Sequence, residues 1–236
     1  MSGEALFVGR DASRPEMSDA AEGLLSLARL ALALGRTERI TRHEDGERPE
    51  TVAEHTVMLA WCALSLAEAW FPWLDPGEVA RFALCHDAPE AIRGDTPTLI
   101  ITAEQLAAKA EREAVAIEEI RTETVFLPWL SRSIDEYEEL KGAGRARKGE
   151  GSASAAAKAA AFVHAVDKMM PKLTHVLNGG GTLRGSGITR GELEALLARQ
   201  RITIRETLPG RISEDLADLQ AELSAATLAV PLAGER

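Results

Sequence analysis

A histidine followed directly by an aspartate, His86-Asp87 within FALCHDAPEAIRGDTPT, sets an imidazole and a carboxylate where both can grip one divalent cation. Further ligands are available at His55 upstream, in PETVAEHTVMLAW, and at Asp167 downstream, in FVHAVDKMM, each on a segment that reads as helix. Together His55, His86, Asp87 and Asp167 would make the mixed nitrogen and oxygen site that imidazole and carboxylate build for Zn, Mn, Co, Ni or Fe. A His-Asp pair alone often arises by chance, so the neighbours decide. Glu90 follows the pair by three and four residues and would share its face of a helix, and Asp95-Thr96-Pro97-Thr98 comes just past Gly94, a helix-ending residue. Ionisable groups clustered on an otherwise apolar helix are costly to bury unless paired or metal-bound. A metal-activated hydrolase is the chemistry that accounts for them.

On ETVAEHT, CHDAPEAIRGDTPT and AVDKM, with Glu90 three residues after the His-Asp pair, residues 24 to 178 resemble the HD-domain metal-dependent phosphohydrolases, and within them the bacterial 5'-deoxynucleotidase-like branch. The resemblance implies an all-α fold, the HD-domain helical bundle, here with extra C-terminal helices. It implies metal ligation by His55, His86, Asp87 and Asp167, catalytic roles for Glu90 and Asp95, with Glu90 handling a proton or positioning water, and substrate contacts from Asp95, Thr96, Pro97 and Thr98. The family orients the phosphate with an arginine upstream of the first histidine. Arg39 and Arg42 in RTERITRHEDGER are the candidates, and the aromatic residue that commonly follows that arginine is absent.

The chemistry follows from the ligand set. A divalent ion held by two His and two Asp keeps positions for water and for a phosphate oxygen, supplies hydroxide at neutral pH and neutralises charge in the transition state. Glu90 beside that water would accept or relay its proton, and an arginine would clamp the phosphate for attack. The expected reaction is conversion of a 5'-deoxynucleoside monophosphate such as dAMP to deoxynucleoside and phosphate. Release of triphosphate from a dNTP is the alternative, and a non-catalytic helical binding module is the alternative of another class. Two further phosphates would need more cations. Arg39, Arg42, Lys168 and the basic Arg145, Arg147 and Lys148 are candidates, but Glu38, Glu44 and Asp45 offset them, which favours the monophosphate.

The elements that must carry these residues read as helices almost throughout. Ser18 caps a helix to about Gly35, with Leu24, Leu27, Ala31 and Leu34 as its core stripe. Thr51 and Glu54 form a capping box for a helix that runs to Pro72 with His55 in its first turns. Asp75-Pro76-Gly77-Glu78 starts a helix expected to carry His86, Asp87 and Glu90, bent at Pro89. Thr102 caps a long helix to about Phe126, a short helix covers Ile134 to Leu140, and another bears Asp167, with His164 one turn earlier as a candidate to orient it. His43 and His175 read as surface or capping residues. The Gly-rich segment at 179–187 reads as a terminator and linker. Thr189 with Glu192 and then Ser213 open two last helices, packed on the core or on another subunit. No run alternates at the strand period. Residues 142–154 are low in complexity and read as a flexible loop.

With 236 residues, 45% of them hydrophobic, the chain suits one soluble domain over 1–236, its core about 18–178 and its C-terminal extension 189–236. Cys62 and Cys85 lack metal-finger spacing and read as buried thiols of a reducing compartment. No signal peptide or membrane-length apolar run is visible, so a cytoplasmic protein without a membrane partner is expected. A formal charge of -10 argues against a nucleic-acid partner. The expected partner is a small-molecule nucleotide substrate, and the expected assembly is a homo-oligomer, dimer or higher.

Overall fold

The computed structural model describes residues 17–97, 99, 101–143, 154–208 and 210–234. Among the described residues the chain is all-α apart from one short hairpin. Helix α1 (Asp19–Leu34) leads into strands β1 (Glu38–Arg42) and β2 (Pro49–Thr51), which pair antiparallel. Helices α2 (Val52–Trp70), α3 (Pro76–Cys85), α4 (Glu90–Arg93), α5 (Ala103–Glu123), α6 (Trp129–Ala143) and α7 (Ala155–Asp167) follow. The chain closes with α8 (Met170–Leu177), α9 (Gly181–Ser186), α10 (Arg190–Thr207) and α11 (Gly210–Leu228). Among the described residues, no helix is long and apolar enough to cross a membrane.

The core lies where α2, α3 and α7 meet. Ala60, Ala63 and Ala67 on α2 and Ala159 and Ala160 on α7 are buried, small side chains that let the helices approach closely around Leu59, Phe82 and Phe162. Phe71 meets Phe162 edge-on at 5.6 Å between ring centroids, the orientation aromatic quadrupoles prefer. Burying such a ring contributes about 2 to 3 kcal/mol. The C-terminal helices are part of this core, since Ile204 of α10, Leu208, and Ile212, Leu216 and Ala217 of α11 belong to it. A second cluster around Leu183, Leu193 and Leu197 fixes α9 against α10.

Several local expectations are corrected. Of the expected α1 stripe of Leu24, Leu27, Ala31 and Leu34, Leu27 packs against the core, but Leu24 is 62% exposed and the buried face is Gly23, Ser26, Leu30 and Ala33. The helix is rotated by one residue to seat Gly23 under Leu127, where a Cβ would come within 2.9 Å of Leu127 Cγ. The hairpin escaped notice because its strands are only five and three residues long, too short for an alternating signature. Residues 179–187 are more than a linker. Gly180, at φ 82°, lies so close to Val230 that a Cβ would clash, and it leads into α9. Helix α6 begins at Trp129 rather than near Ile134, and α11 begins at Gly210, ahead of Ser213.

Candidate metal centre

His55 is placed by the start of α2. Thr51 Oγ1 accepts from Glu54 N at 3.2 Å while Glu54 Oε2 accepts from Thr51 N at 2.9 Å, the reciprocal cap that satisfies two amides of the first turn. Arg48 holds the Glu54 carboxylate at 2.9 and 2.6 Å. Because Thr51 also ends β2, the hairpin and the helix are one unit, and Glu50 on β2 lies beside the His55 ring.

His86, Asp87 and Glu90 do not share one helix. Pro89 has no N–H for the Cys85 carbonyl, which accepts instead from Ala88 N at 3.1 Å. Helix α3 therefore stops at Cys85 and the chain advances by tighter turns, with Glu90 N donating to Asp87 O at 3.0 Å, before α4 begins at Glu90. The break is sharper than the expected bend. It still gathers all three side chains on one side, facing His55 and the Asp167 carboxylate at the end of α7.

His55 Nε2 is 3.1 Å from Asp167 Oδ1 and 3.3 Å from His86 Nε2. One ligand atom from each of His55, His86 and Asp167 lies within 4.8 Å of the others. Asp87 Oδ2 stands beside them, 3.0 Å from His86 Nε2 and 3.5 Å from His55 Nε2, and also accepts from Arg39 at 3.0 Å. Ligands bound to one ion at about 2.1 Å stand roughly 3.0 to 3.4 Å apart, so this spacing suits a metal.

The outward ring nitrogens strengthen that fit. His86 Nδ1 lies 2.9 Å from the Ala83 carbonyl, and His55 Nδ1 lies 3.4 Å from Glu50 Oε1. Both partners only accept, so in the neutral rings that bind a metal the protons sit on Nδ1 and the two Nε2 lone pairs face each other among carboxylate oxygens. In the metal-free chain a second proton on His55, shared with Asp167, takes the place such a cation would hold. Burial lowers the His55 pKa, but Asp167 and Glu50 outweigh it and bring it up to about 9. Burial likewise opposes ionisation of Asp87 and Asp167, yet His86 and His55 hold Asp87 well below the usual carboxylate range, and Lys168 and His55 do so for Asp167.

Glu90 differs from its neighbours. Burial, with Asp87 and Asp95 nearby, raises its pKa to about 8 against the opposing pull of Arg39 and Lys109. Arg39 Nη1 is 3.6 Å from Glu90 Oε2 and 3.8 Å from Asp95 Oδ1, and Lys109 Nζ is 3.3 Å from Glu90 Oε1. Among the buried side-chain atoms here without a hydrogen-bond partner are Nε of Arg39 and Oε2 of Glu90, together with Glu50 Oε1 and, on the cavity wall, Thr41 Oγ1 and His175 Nδ1. The site opens into a cavity of about 130 Å³ whose far wall comes from α8, α10 and α11.

Arg39, Asp95, Thr96 and Pro97 line this cavity, and Thr96 accepts from Arg112 at 3.0 Å. Arg42 is elsewhere, donating to the Gly46 and Glu47 carbonyls in the hairpin turn. Thr98, Arg145, Arg147 and Lys148 lie outside the described residues. His164 is half-buried on α7. His175 is not a surface residue: it is buried on α8 and lines the cavity. Cys85 is buried as expected, while Cys62 is only half-buried. The sequence reading missed Glu50, Lys109 and Lys172. Glu50 carried a signal, an acid beside a strong helix cap five residues ahead of a candidate ligand. The two lysines carried none, because only the packing of α5 and α8 brings them to the cavity.

Residues 33–222 match the HD domain family model. Among solved structures, the chain is similar to a predicted metal-dependent phosphohydrolase from Magnetospirillum magnetotacticum MS-1, with 26% identity and a TM-score of 0.63 over 91% of this chain and 100% of that one. No curated protein matches the chain.

Proposed function

Because the chain belongs to the HD domain family, we propose that it is a metal-dependent phosphohydrolase that cleaves deoxynucleotides, taking a 5'-deoxynucleoside monophosphate to deoxynucleoside and phosphate. The relative from Magnetospirillum magnetotacticum, described as a predicted metal-dependent phosphohydrolase, supports the reaction class. One observation carries the reading: beside a His/Asp group fit for a metal, Arg39 keeps a buried N–H donor and Glu90 a buried carboxylate oxygen, both without hydrogen-bond partners. A phosphate needs the first and an attacking water needs the second.

In this reading His55, His86, Asp87 and Asp167 hold a divalent cation, with Mn, Co, Zn, Ni and Fe all compatible with the donor set. When bound, the ion supplies a water of lowered pKa and offsets charge on the phosphate. Arg39 Nε–H donates to a phosphate oxygen, and Asp87 and Asp95 fix the guanidinium from its other edge. Glu90 accepts the water proton at Oε2, and Lys109 on Oε1 keeps that carboxylate in place. A carboxyl whose pKa lies near neutrality is matched to that task. Asp95, Thr96 and Pro97 contact the nucleoside. Helices α10 and α11 contribute to the far wall, which supports their working with the preceding helices as one functional unit rather than as an appendage.

Release of triphosphate from dNTPs is the second reading, favoured by Lys172 on the same cavity wall. Incubation with Mn or Co and each of dAMP, AMP and dATP, with products resolved by chromatography, separates the two. The expected result is phosphate and deoxyadenosine from dAMP, several-fold faster than adenosine from AMP. Intact triphosphate from dATP with monophosphates untouched would install the second reading.

A further inference from the structure

Four cationic side chains line the cavity, and three of them face carboxylates. Arg39 meets Asp87, Glu90 and Asp95, Lys109 meets Glu90 and Glu113, and Lys168 meets Asp167 at 2.7 Å. Lys172 does not. It is 2% exposed, and its Nζ donates to the Lys168 carbonyl and to Gln200 Oε1, each at 2.6 Å and each neutral. Gln200 Oε1 also accepts from Gln220 Nε2 at 3.3 Å, so an amide fixed between α10 and α11 holds the amine at the wall.

Burying an ammonium without a counter-charge is unfavourable by several kcal/mol in general. Burial, aided by Lys168, pushes the Lys172 pKa down to about 7. Asp167, which acts on it from a distance, is already paired with Lys168. The leucines 193, 196 and 197 line the same cavity and lower the local dielectric, which strengthens any anion's attraction to the amine. The wall thus presents an amine that, when protonated, has no carboxylate partner among the described residues.

We propose that Lys172 is an anion subsite that receives a second phosphate group of a bound nucleotide, away from the metal centre, so that nucleoside polyphosphates engage both ends of the cavity. The inference rests on the metal-dependent phosphohydrolase reading alone, adds a specificity-determining residue to it, and favours a polyphosphate over a monophosphate as the nucleotide that fills the cavity. A monophosphate seated at Arg39 leaves Lys172 unmatched, whereas a polyphosphate supplies the missing charge.

The test is calorimetric titration of the metal-loaded full chain with inorganic phosphate and inorganic triphosphate, for the wild type and Lys172→Met. Triphosphate is expected to bind the wild type at least about tenfold more tightly than phosphate, and the substitution to weaken triphosphate about tenfold while moving phosphate less than about twofold, the scale of one charge-assisted hydrogen bond. Lys172→Gln keeps a donor toward the Lys168 carbonyl, loses only the charge and is read in the same way if the methionine variant does not fold. Equal losses for both probes, or no loss for triphosphate, overturn the subsite alone. A wild type that binds neither probe removes the phosphohydrolase reading and the subsite with it.

Discussion

Glu90→Gln should make the metal-free protein more stable while it destroys turnover. The carboxyl is buried among Asp87 and Asp95, and its pKa rises from 4.5 to about 8 in the fold. A group whose folded pKa is raised stabilises the fold in its protonated form below the unfolded value, and that contribution is lost as pH rises through the folded value. At pH 7 the folded chain must keep a proton that the unfolded chain has released, a cost of about 3 kcal/mol at 1.36 kcal/mol per unit. At pH 5 the same cost is under about 1 kcal/mol. Glutamine removes this term and loses about 1 kcal/mol from the charge-assisted hydrogen bond to Lys109, so the net gain at pH 7 is about 2 kcal/mol. For a chain of this size that is a rise of roughly 4 to 8 °C in Tm. Thermal unfolding of chelator-treated wild type and variant at pH 5, 6, 7 and 8 reads it directly. The advantage should grow with pH, and activity of the metal-loaded variant should fall about a hundredfold or more. A variant less stable than the wild type at pH 7, or an advantage that does not shrink toward pH 5, would refute the reasoning.

Glu50→Gln should weaken metal binding about tenfold or more without unfolding the chain, because the carboxylate beside His55 Nδ1 steers that ring; competition with a chromophoric chelator measures it, and unchanged affinity removes Glu50 from the account. His175, pushed down to about 4 by burial and Lys172, is held neutral in the fold, so its contribution is complete above the unfolded value of 6.5 and drains away as pH falls to 4. His175→Leu should therefore gain up to about 3 kcal/mol relative to the wild type across that window, and urea unfolding at pH 7, 5.5 and 4 that shows a constant difference would contradict it.

What the sequence disclosed and what it hid divide along a physical line. Local signals were legible: the Ser18, Thr51, Asp75, Thr102 and Thr189 caps all accept the backbone N–H bonds expected of them. His55, His86 and Asp167 stood out because buried ionisable residues on apolar segments are rare without a purpose. Periodicity was a weaker guide on α1, where close packing of Gly23 against Leu127 mattered more than the leucine spacing. Pro89 signalled a bend, but its consequence, an interruption between His86 and Glu90, depends on turns that no single residue specifies. The far wall of the cavity was invisible. Lys172, His175 and Gln200 lie on two helices that meet the site only through tertiary packing, and their types are common on ordinary helix surfaces.

The central claim is that His55, His86, Asp87 and Asp167 hold a catalytic divalent ion, and metal content answers it most directly. Inductively coupled plasma mass spectrometry on purified wild type, His86→Ala and Asp167→Ala, after dialysis against metal-free buffer, should find the ion in the wild type and its loss from both variants, with phosphate release from dAMP abolished in parallel. Full metal occupancy in both variants would contradict the account.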